Sequence, residues 1–367
     1  MNDQARELRR LIEEGDARAR HANGVAVLAA QRVSVGPSDR EAPQHEDRPV
    51  DQHDDLSHQT TQGELPQQSE PQRAPARSSA PVASVLRPAS RPLARAIAVT
   101  SGKGGVGKSN VAVNLAAAFA ARGCRVCLID GDLGLANADV LCNLTPRKTL
   151  DDVVYGRCKL GEAILAAPGG FHLLAGASGV ARMANLTPEQ QGDLVRRMTA
   201  LEKVVDVILI DTGAGISRSV LDFNAAAHDV LVVVTPEPPS ITDSYGLIKA
   251  LAKQRSVARM HVIVNQARSE GEARSVFRRL DHVSRTFLQR PLAYAGHVPE
   301  DSAVRDCVRQ RVPFVVGAPR SSATHCMLNL ARYFSDLPAF ASIAGATAQE
   351  SSREGFFMRF AQRLRIR

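Results

Sequence analysis

The chain has 367 residues, of which 44% are hydrophobic, and this is ample for the core of one large or two medium-sized domains. It has no run of 18 uncharged apolar residues and no apolar signal-peptide region, and its six cysteines are scattered, so the sequence favours a cytoplasmic protein over a membrane-spanning or disulfide-rich one. The net charge of +8 argues little for a nucleic-acid partner, because residues 353–367, with five arginines and one glutamate, carry half of it.

The first predicted element is a short helix over residues 2–14. Apolar residues recur there at i, i+3 and i+4 spacing, Asp3 can cap the first turn, and Gly15 ends the pattern. A helix of this length is marginal alone, so its apolar stripe indicates docking, either on this protein or on another. We assign residues 1–34 to a partner-binding region. Residues 35–92 are rich in Pro, Gln, Ser, Asp and His, and predict a disordered linker.

Residues 93–340 alternate apolar runs with helical patterns, which indicates an α/β domain with a mainly parallel sheet flanked by helices on both faces. The predicted strands are 96–100, 125–130, 171–174, 205–211, 229–234, 260–264 and 292–298. The predicted helices are 109–122, 187–201, 217–227, 240–254, 271–288, 300–310 and 322–336. In such a sheet a ligand binds beyond the carboxyl ends of the strands.

A glycine-rich phosphate-binding motif follows the first predicted strand. Residues 102–109 have the sequence G-K-G-G-V-G-K-S, which completes the P-loop pattern G-x-x-x-x-G-K-[ST] between a strand and a helix. Glycines let successive backbone N–H groups face an anion, Lys108 adds a positive charge, and the Ser109 hydroxyl is a Mg²⁺ ligand. The alternative is a glycine-rich turn with a chance lysine. The predicted nucleotide-binding residues here are Gly102, Gly104, Gly105, Val106, Gly107, Lys108, Ser109 and Asn110.

Two acidic segments follow other predicted strands at the same edge. Asp130 and Asp132 come after the apolar run 126–129, and Asp211 ends the aliphatic run 207–210 in a Walker B pattern. Carboxylates facing a P-loop hold Mg²⁺ or orient a water in phosphoryl transfer. We therefore predict Ser109 and Asp211 on the Mg²⁺ side of the site, and a carboxylate of the first segment that either holds Mg²⁺ or orients a water. The alternatives are a solvated acidic turn for the first segment and a core strand ending in an exposed acid for the second.

The last residues predict a second terminal helix. On a helical wheel Phe356, Phe357, Phe360, Ala361 and Leu364 share one arc, with arginines along its border. An aromatic, basic and amphipathic helix suits the surface of an anionic bilayer. We therefore assign residues 341–367 to a linker and a membrane-targeting helix that uses Phe356, Phe357, Phe360 and Leu364. The alternative is a helix docked on the core.

Lys103 is a second cation ahead of the glycines, and by the loop K-G-G-V-G-K-S the chain resembles the deviant Walker A P-loop ATPases of the MinD/ParA family. The resemblance implies binding of ATP and Mg²⁺, a homodimer that forms on ATP binding, and contact of Lys103 with the nucleotide of the partner subunit. It implies that Asp132 positions the hydrolytic water and that Asp130 supports the Mg²⁺ side. The implied catalytic residues are Lys103, Lys108 and Asp132.

The same resemblance implies a base-binding side. It assigns Asn265, which ends a predicted strand, to the adenine ring, and the segment Pro299, Glu300 and Asp301 to the same side. Without that match, Asn265 would be interpreted as a turn-forming residue and the segment as a strand-to-helix turn.

The two ends of the chain narrow the resemblance. Residues 3–9 have the sequence D-Q-A-R-E-L-R, which resembles the N-terminal activation helix of the FlhG family, also called FleN or YlxH, the MinD-like ATPases of flagellar placement. The resemblance implies that this helix stimulates the signal-recognition-type GTPase FlhF. It also implies flagellar switch-complex (C-ring) proteins as further partners, and a peripheral position on the inner face of the cell membrane when ATP is bound. The implied partner-binding residues are Asp3, Gln4, Ala5, Leu8 and Arg9.

Three other functions remain open. A MinD-type division-site regulator would share the ATPase and the membrane helix without needing residues 3–9. A ParA-type DNA-partitioning protein would need a basic DNA surface with salt-sensitive binding. An iron–sulfur carrier would need a suitable cysteine set, but the sequence offers no second close pair beside Cys124 and Cys127 to complete four ligands. The regulatory ATPase of the flagellar branch is the function we expect.

Overall fold

The computed structural model describes residues 93–132, 137–176, 187–254, 258–338 and 355–365. The predicted N-terminal helix, its partner-binding residues and the linker over 35–92 lie outside this part of the chain. The strands are β1 (Arg95–Ser101), β2 (Val126–Gly131), β3 (Ile164–Ala166), β4 (His172–Leu174), β5 (Val207–Ala214), β6 (Asp229–Val234), β7 (Arg259–Ala267) and β8 (Ala293–Pro299). The helices are α1 (Lys108–Ala121), α2 (Ala138–Leu141), α3 (Leu150–Val154), α4 (Leu160–Ala163), α5 (Pro188–Val204), α6 (Arg218–Ala226), α7 (Pro238–Lys253), α8 (Glu270–Leu288), α9 (Ser302–Arg309), α10 (Phe314–Gly317), α11 (Ser322–Ser335) and α12 (Phe356–Arg365).

Within the described residues, the strands form one sheet in the order β3-β4-β2-β5-β1-β6-β7-β8. β3 and β4 are antiparallel, and every other neighbouring pair is parallel. β2 and β6 are buried along their whole length, as expected for strands covered on both faces. The predicted fold class, a mainly parallel sheet flanked by helices, is confirmed.

Alternate side chains of each strand point to opposite faces and so define two layers of core. On one face, α1 and α11 contact each other and cover residues such as Val99 and Leu209. On the other face, α5, α6 and α12 cover Ala98 and Ile210, and α7 and α8 cover Val262 and its neighbours. No helix in the described ranges is both long enough and apolar enough to cross a membrane.

The sequence prediction missed the shortest elements. These are β3, which adds an antiparallel edge, and the helices α2, α3, α4 and α10, each of four or five residues. A segment of that length does not complete enough of a period for its apolar spacing to separate a helix from a strand or a loop. One of them, α10, turns out to matter for the site.

Candidate nucleotide-binding site

Strand order assembles the site from distant parts of the chain. β5 lies between β1 and β2, so the loop that follows β1 has Asp211 of β5 and Asp130 of β2 on the same side. Asp211 is the register partner of both Val99 in β1 and Asp130 in β2. Because these strands are parallel, their carboxyl ends share one edge of the sheet. The predicted phosphate-side residues are therefore brought together.

The phosphate loop over residues 102–107 joins β1 to α1. Gly107 caps α1 with a φ of 86°, in the left-handed region that favours glycine. A Cβ at Gly107 would also collide with the carboxamide of Asn265, whose Nδ2 donates a 2.8 Å hydrogen bond to the carbonyl of Val106. Asn265 thus reaches from β7 to the loop itself. Lys108, Ser109 and Asn110 form the first turn of α1, where unpaired backbone N–H groups favour an anion.

Lys108 is held between two carboxylates. Its Nζ lies 2.7 Å from Oδ1 of Asp211 and 3.6 Å from Oδ2 of Asp132. Burial raises the pKa of Asp211, against the opposing charge of Lys108 and the hydrogen bond that Lys108 donates. The predicted catalytic lysine and the predicted water-positioning acid therefore lie side by side.

The donor set fits Mg²⁺. Oδ2 of Asp211 is buried and has no hydrogen-bond partner among the described residues, and a buried acceptor left unpaired is costly. Proteins commonly hold Mg²⁺ through one or two carboxylates together with substrate phosphates. Asp211 and Ser109, close to each other beside the phosphate loop, would supply the protein part of such a site.

Asp130 anchors the loop that carries Asp132. Its Oδ1 accepts the backbone N–H of Asp132 at 3.2 Å, and its Oδ2 accepts those of Asn137 and Ala138, each at 3.1 Å. Burial raises the pKa of Asp130 to about 7, with a further contribution from the charge of Asp211. Through these contacts Asp130 anchors the loop, a role that the sequence did not indicate. Its role on the Mg²⁺ side stays a prediction.

Lys103 contacts an acid of its own chain. Its Nζ lies 3.2 Å from Oε2 of Glu237, the residue that precedes α7, and both side chains are largely exposed. Exposed pairs of this kind contribute little free energy, so the ammonium is free to exchange partners. Sequence reasoning assigned no role to Glu237, although an acid directly before a helix that opens with two prolines was a visible signal. The predicted contact of Lys103 with a partner subunit stays a prediction.

A cavity of about 220 Å³ lies beside the phosphate loop. All four predicted base-side residues line it, namely Asn265, Pro299, Glu300 and Asp301, and so do Gly107 and Asn110. Its remaining lining residues, which the sequence did not indicate, include Val304, Arg305 and Phe314. The sequence did not indicate Phe314 because α10, the helix that begins with it, is too short to be recognised from apolar spacing.

Both carboxylate oxygens of Asp301, a residue that lines the cavity, accept hydrogen bonds from neighbouring helices. Oδ1 accepts the backbone N–H of Ala303 at 2.9 Å and so caps α9, while Oδ2 accepts the Ser322 hydroxyl at 2.9 Å and the Ala323 N–H at 3.2 Å in α11. Its carboxylate therefore joins two helices at the cavity. The contact of Asp301 with a nucleotide stays a prediction.

α12 is docked on the core. Phe356, Phe357, Phe360 and Leu364, the residues predicted to enter a membrane, are all buried against α5 and α6. The ring of Phe360 stacks on Phe223 of α6 with 4.6 Å between centroids. A groove in a protein removes an apolar stripe from water as a bilayer does, so the wheel pattern fits both. The structure adopts the docked alternative, and membrane binding by these residues stays a prediction that requires α12 to leave its groove.

A buried carboxylate holds the first turn of α12. Oε1 of Glu202 in α5 accepts the backbone N–H of Phe357 at 2.8 Å. Burial raises the pKa of Glu202 to about 7, although the hydrogen bond from Phe357 and the charge of Arg359 favour its ionised form. The backbone at Gly355 passes so close that a Cβ there would collide with the same carboxylate. Nothing in the sequence linked Glu202 to the C-terminal helix.

The sequence and the fold of this chain are similar to those of known proteins. Residues 97–314 match the CobQ/CobB/MinD/ParA nucleotide binding domain. The antiactivator FleN of Pseudomonas aeruginosa is 47% identical over 228 residues, covering 62% of this chain and 81% of that protein. The flagellum site-determining protein YlxH of Helicobacter pylori is 34% identical over 216 residues, covering 59% and 73%. The septum site-determining protein MinD of Pyrococcus horikoshii, solved as a complex with Mg-ADP, has a TM-score of 0.55 at 26% identity, over 68% of this chain and 99% of that one. The chain belongs to the MinD/ParA family of P-loop nucleotide-binding proteins, in its FlhG/FleN/YlxH branch.

Proposed function

We propose that this protein is a slow, Mg²⁺-dependent ATPase that acts as a homodimeric switch for the number and placement of bacterial flagella. Its similarity to FleN and YlxH supports a flagellar number regulator of the MinD type. The observation that carries the enzymatic part is the convergence of Lys108, Asp211 and Asp132 beside the phosphate loop and the adjoining cavity.

The catalytic step follows from this geometry. When a nucleotide binds, the ammonium group of Lys108 moves from Asp211 to the phosphate oxygens. There it offsets the negative charge that develops in phosphoryl transfer. Mg²⁺, held by Ser109 and Asp211, would neutralise phosphate charge when it is bound. Asp132 orients the attacking water. The anchoring of its loop by Asp130 fixes the carboxylate near Lys108.

Dimerisation and membrane binding then depend on two contacts seen within the chain. Lys103 leaves Glu237 and reaches the nucleotide of the partner subunit, which links dimerisation to ATP. Dimerisation favours the release of α12 to an anionic membrane, and the protein alternates between the cytoplasm and the inner face of the cell membrane. Residues 2–14 stimulate the GTPase FlhF, and the core engages C-ring proteins.

The switch is tested with Asp132→Ala and anionic liposomes. We expect this variant to bind ATP, to lose turnover and to stay on the liposomes as a dimer, because the water is no longer oriented. The matched control is Asp139→Ala, since Asp139 is an acid of the same region whose carboxylate, within the described residues, accepts a hydrogen bond from the Val140 N–H of its own helix turn alone. If turnover and release persist in Asp132→Ala, the assignment of Asp132 is wrong.

The flagellar destination is tested by deleting residues 2–14. We expect the deletion to abolish stimulation of FlhF GTP hydrolysis while ATP hydrolysis by the chain persists. An intact flagellar phenotype would instead favour the MinD-type division-site regulator. Binding to DNA that weakens steeply with added salt would favour the ParA-type alternative.

A further inference from the structure

A buried asparagine in the middle of α1 is bonded to two elements that line the cavity. Asn114 is fully buried in an Ala-rich helix. Its Nδ2 donates to both the backbone carbonyl and Oδ1 of Asn110 at 2.8 Å, and its Oδ1 accepts the backbone N–H of Val315 at 3.0 Å. Asparagine is a weak helix former, so its presence at this position calls for another role.

The two partners of Asn114 belong to two different elements that line the cavity. Asn110 lines it from α1, and Phe314, the neighbour of Val315, lines it from α10. A single side chain is therefore hydrogen-bonded to both of these elements. We propose that Asn114 is a positioning residue that sets the separation of these elements and thereby the affinity of the site for the base of a nucleoside triphosphate. This inference rests on the proposed nucleotide binding.

α10 depends on such a tie. It has four residues, too few to be stable as an isolated helix. A second buried side chain, Thr324 of α11, donates its hydroxyl to the carbonyls of Phe314 at 3.1 Å and Ala318 at 2.8 Å. Asn114 and Thr324 thus hold α10 from two sides, and the position of the Phe314 ring follows from both.

The chemistry requires an amide at position 114. Leucine has a similar size but would leave the Val315 N–H and the Asn110 Oδ1 without their partner, and buried polar groups left unpaired are costly. Aspartate would keep the acceptor for Val315 but would place a carboxylate against the Asn110 oxygen. Neither change touches the phosphate loop, Lys108 or Asp211.

The test separates base-dependent from phosphate-dependent affinity. Binding of ATP and of inorganic triphosphate, each with Mg²⁺, is measured on the full chain for the wild type, Asn114→Leu, Asn114→Asp and Thr324→Val. We expect Asn114→Leu to weaken ATP binding about tenfold, on the scale of one or two net hydrogen bonds, while triphosphate binding stays within about twofold. Thr324→Val should shift ATP binding in the same direction by about threefold.

A matched control keeps stability apart from positioning. Asn224→Leu removes another fully buried amide, which bonds Thr100 and the carbonyl of Val220 in α6. It should lower stability without changing the ratio of ATP to triphosphate affinity. The inference is overturned if Asn114→Leu lowers both affinities equally or neither, or, should that variant not fold, if Thr324→Val leaves the ratio unchanged. A wild type that binds neither ligand would overturn the proposed function itself.

Discussion

Nζ of Lys108 lies 2.7 Å from Oδ1 of Asp211, and both side chains are buried. Removing one partner leaves the other charge buried and uncompensated, which is strongly destabilising. We expect Lys108→Met to lower the free energy of unfolding by about 3 kcal/mol, measured by urea denaturation. The double variant Lys108→Met with Asp211→Asn should regain most of that loss. A double variant less stable than either single one would contradict this account.

The exposed pair of Lys103 and Glu237 contributes little to stability, in contrast to the buried pair of Lys108 and Asp211. The side chains of Lys103 and Glu237 are 41% and 61% exposed, so Glu237→Gln should change the free energy of unfolding by less than about 0.5 kcal/mol.

Lys103→Ala should leave nucleotide affinity close to that of the wild type, yet prevent the ATP-dependent dimer, because the proposed contact of Lys103 is with the nucleotide of the partner subunit. Light scattering with and without ATP measures this. If Lys103→Ala still forms a dimer with ATP, the proposed contact of Lys103 with the partner's nucleotide is excluded.

Short-range motifs were the part of the site that the sequence could predict. Lys108 and Ser109 belong to one eight-residue pattern, and Asp211 ends an aliphatic strand, so both assignments depend on local spacing alone. The parallel sheet followed from the alternation of apolar runs and helices, and the carboxyl ends of its strands place these residues at one edge.

Contacts across long separations were not predictable. Lys103 and Glu237 are 134 residues apart, Glu202 and Phe357 are 155 apart, and Asn114 and Val315 are 201 apart. Each depends on how helices pack, which no local pattern encodes. The stripe of α12 was ambiguous for a related reason, since apolar spacing reports that a face avoids water but not what covers it.

Gly355 allows α12 to dock. A Cβ at this position would collide with the Glu202 carboxylate, so we expect Gly355→Ala to push the first turn of α12 away from α5. Hydrogen exchange of the amides over residues 357–365 should become about tenfold faster or more, and binding to anionic vesicles should increase. The control is Gly246→Ala, since an added Cβ at Gly246 meets nothing within 4 Å. Equal exchange in the two variants would show that Gly355 does not control docking.

Docking of α12 should also depend on pH through Glu202. Burial raises the pKa of this carboxyl to about 7 from its ordinary value of 4.5, and release of α12 exposes it to water and lets the pKa fall back. The docked form therefore binds the proton more tightly. By linkage, this contribution to docking is fully present below about pH 4.5 and is lost as the pH rises through about 7. His228, which has Arg359 nearby, has a pKa lowered to about 3 by burial and stays neutral across that window.

Hydrogen exchange of α12 at about pH 5.5 and about pH 7.5, corrected for intrinsic rates, measures the effect. In the wild type the free energy of opening should be about 2 kcal/mol smaller at the higher pH. Glu202→Gln keeps an acceptor for the Phe357 N–H but cannot titrate, so its opening should not depend on pH. Asp130 also has a pKa of about 7, but it contacts the loop of Asp132 and not α12. An equal slope in the wild type and in Glu202→Gln would therefore assign the pH dependence to another group.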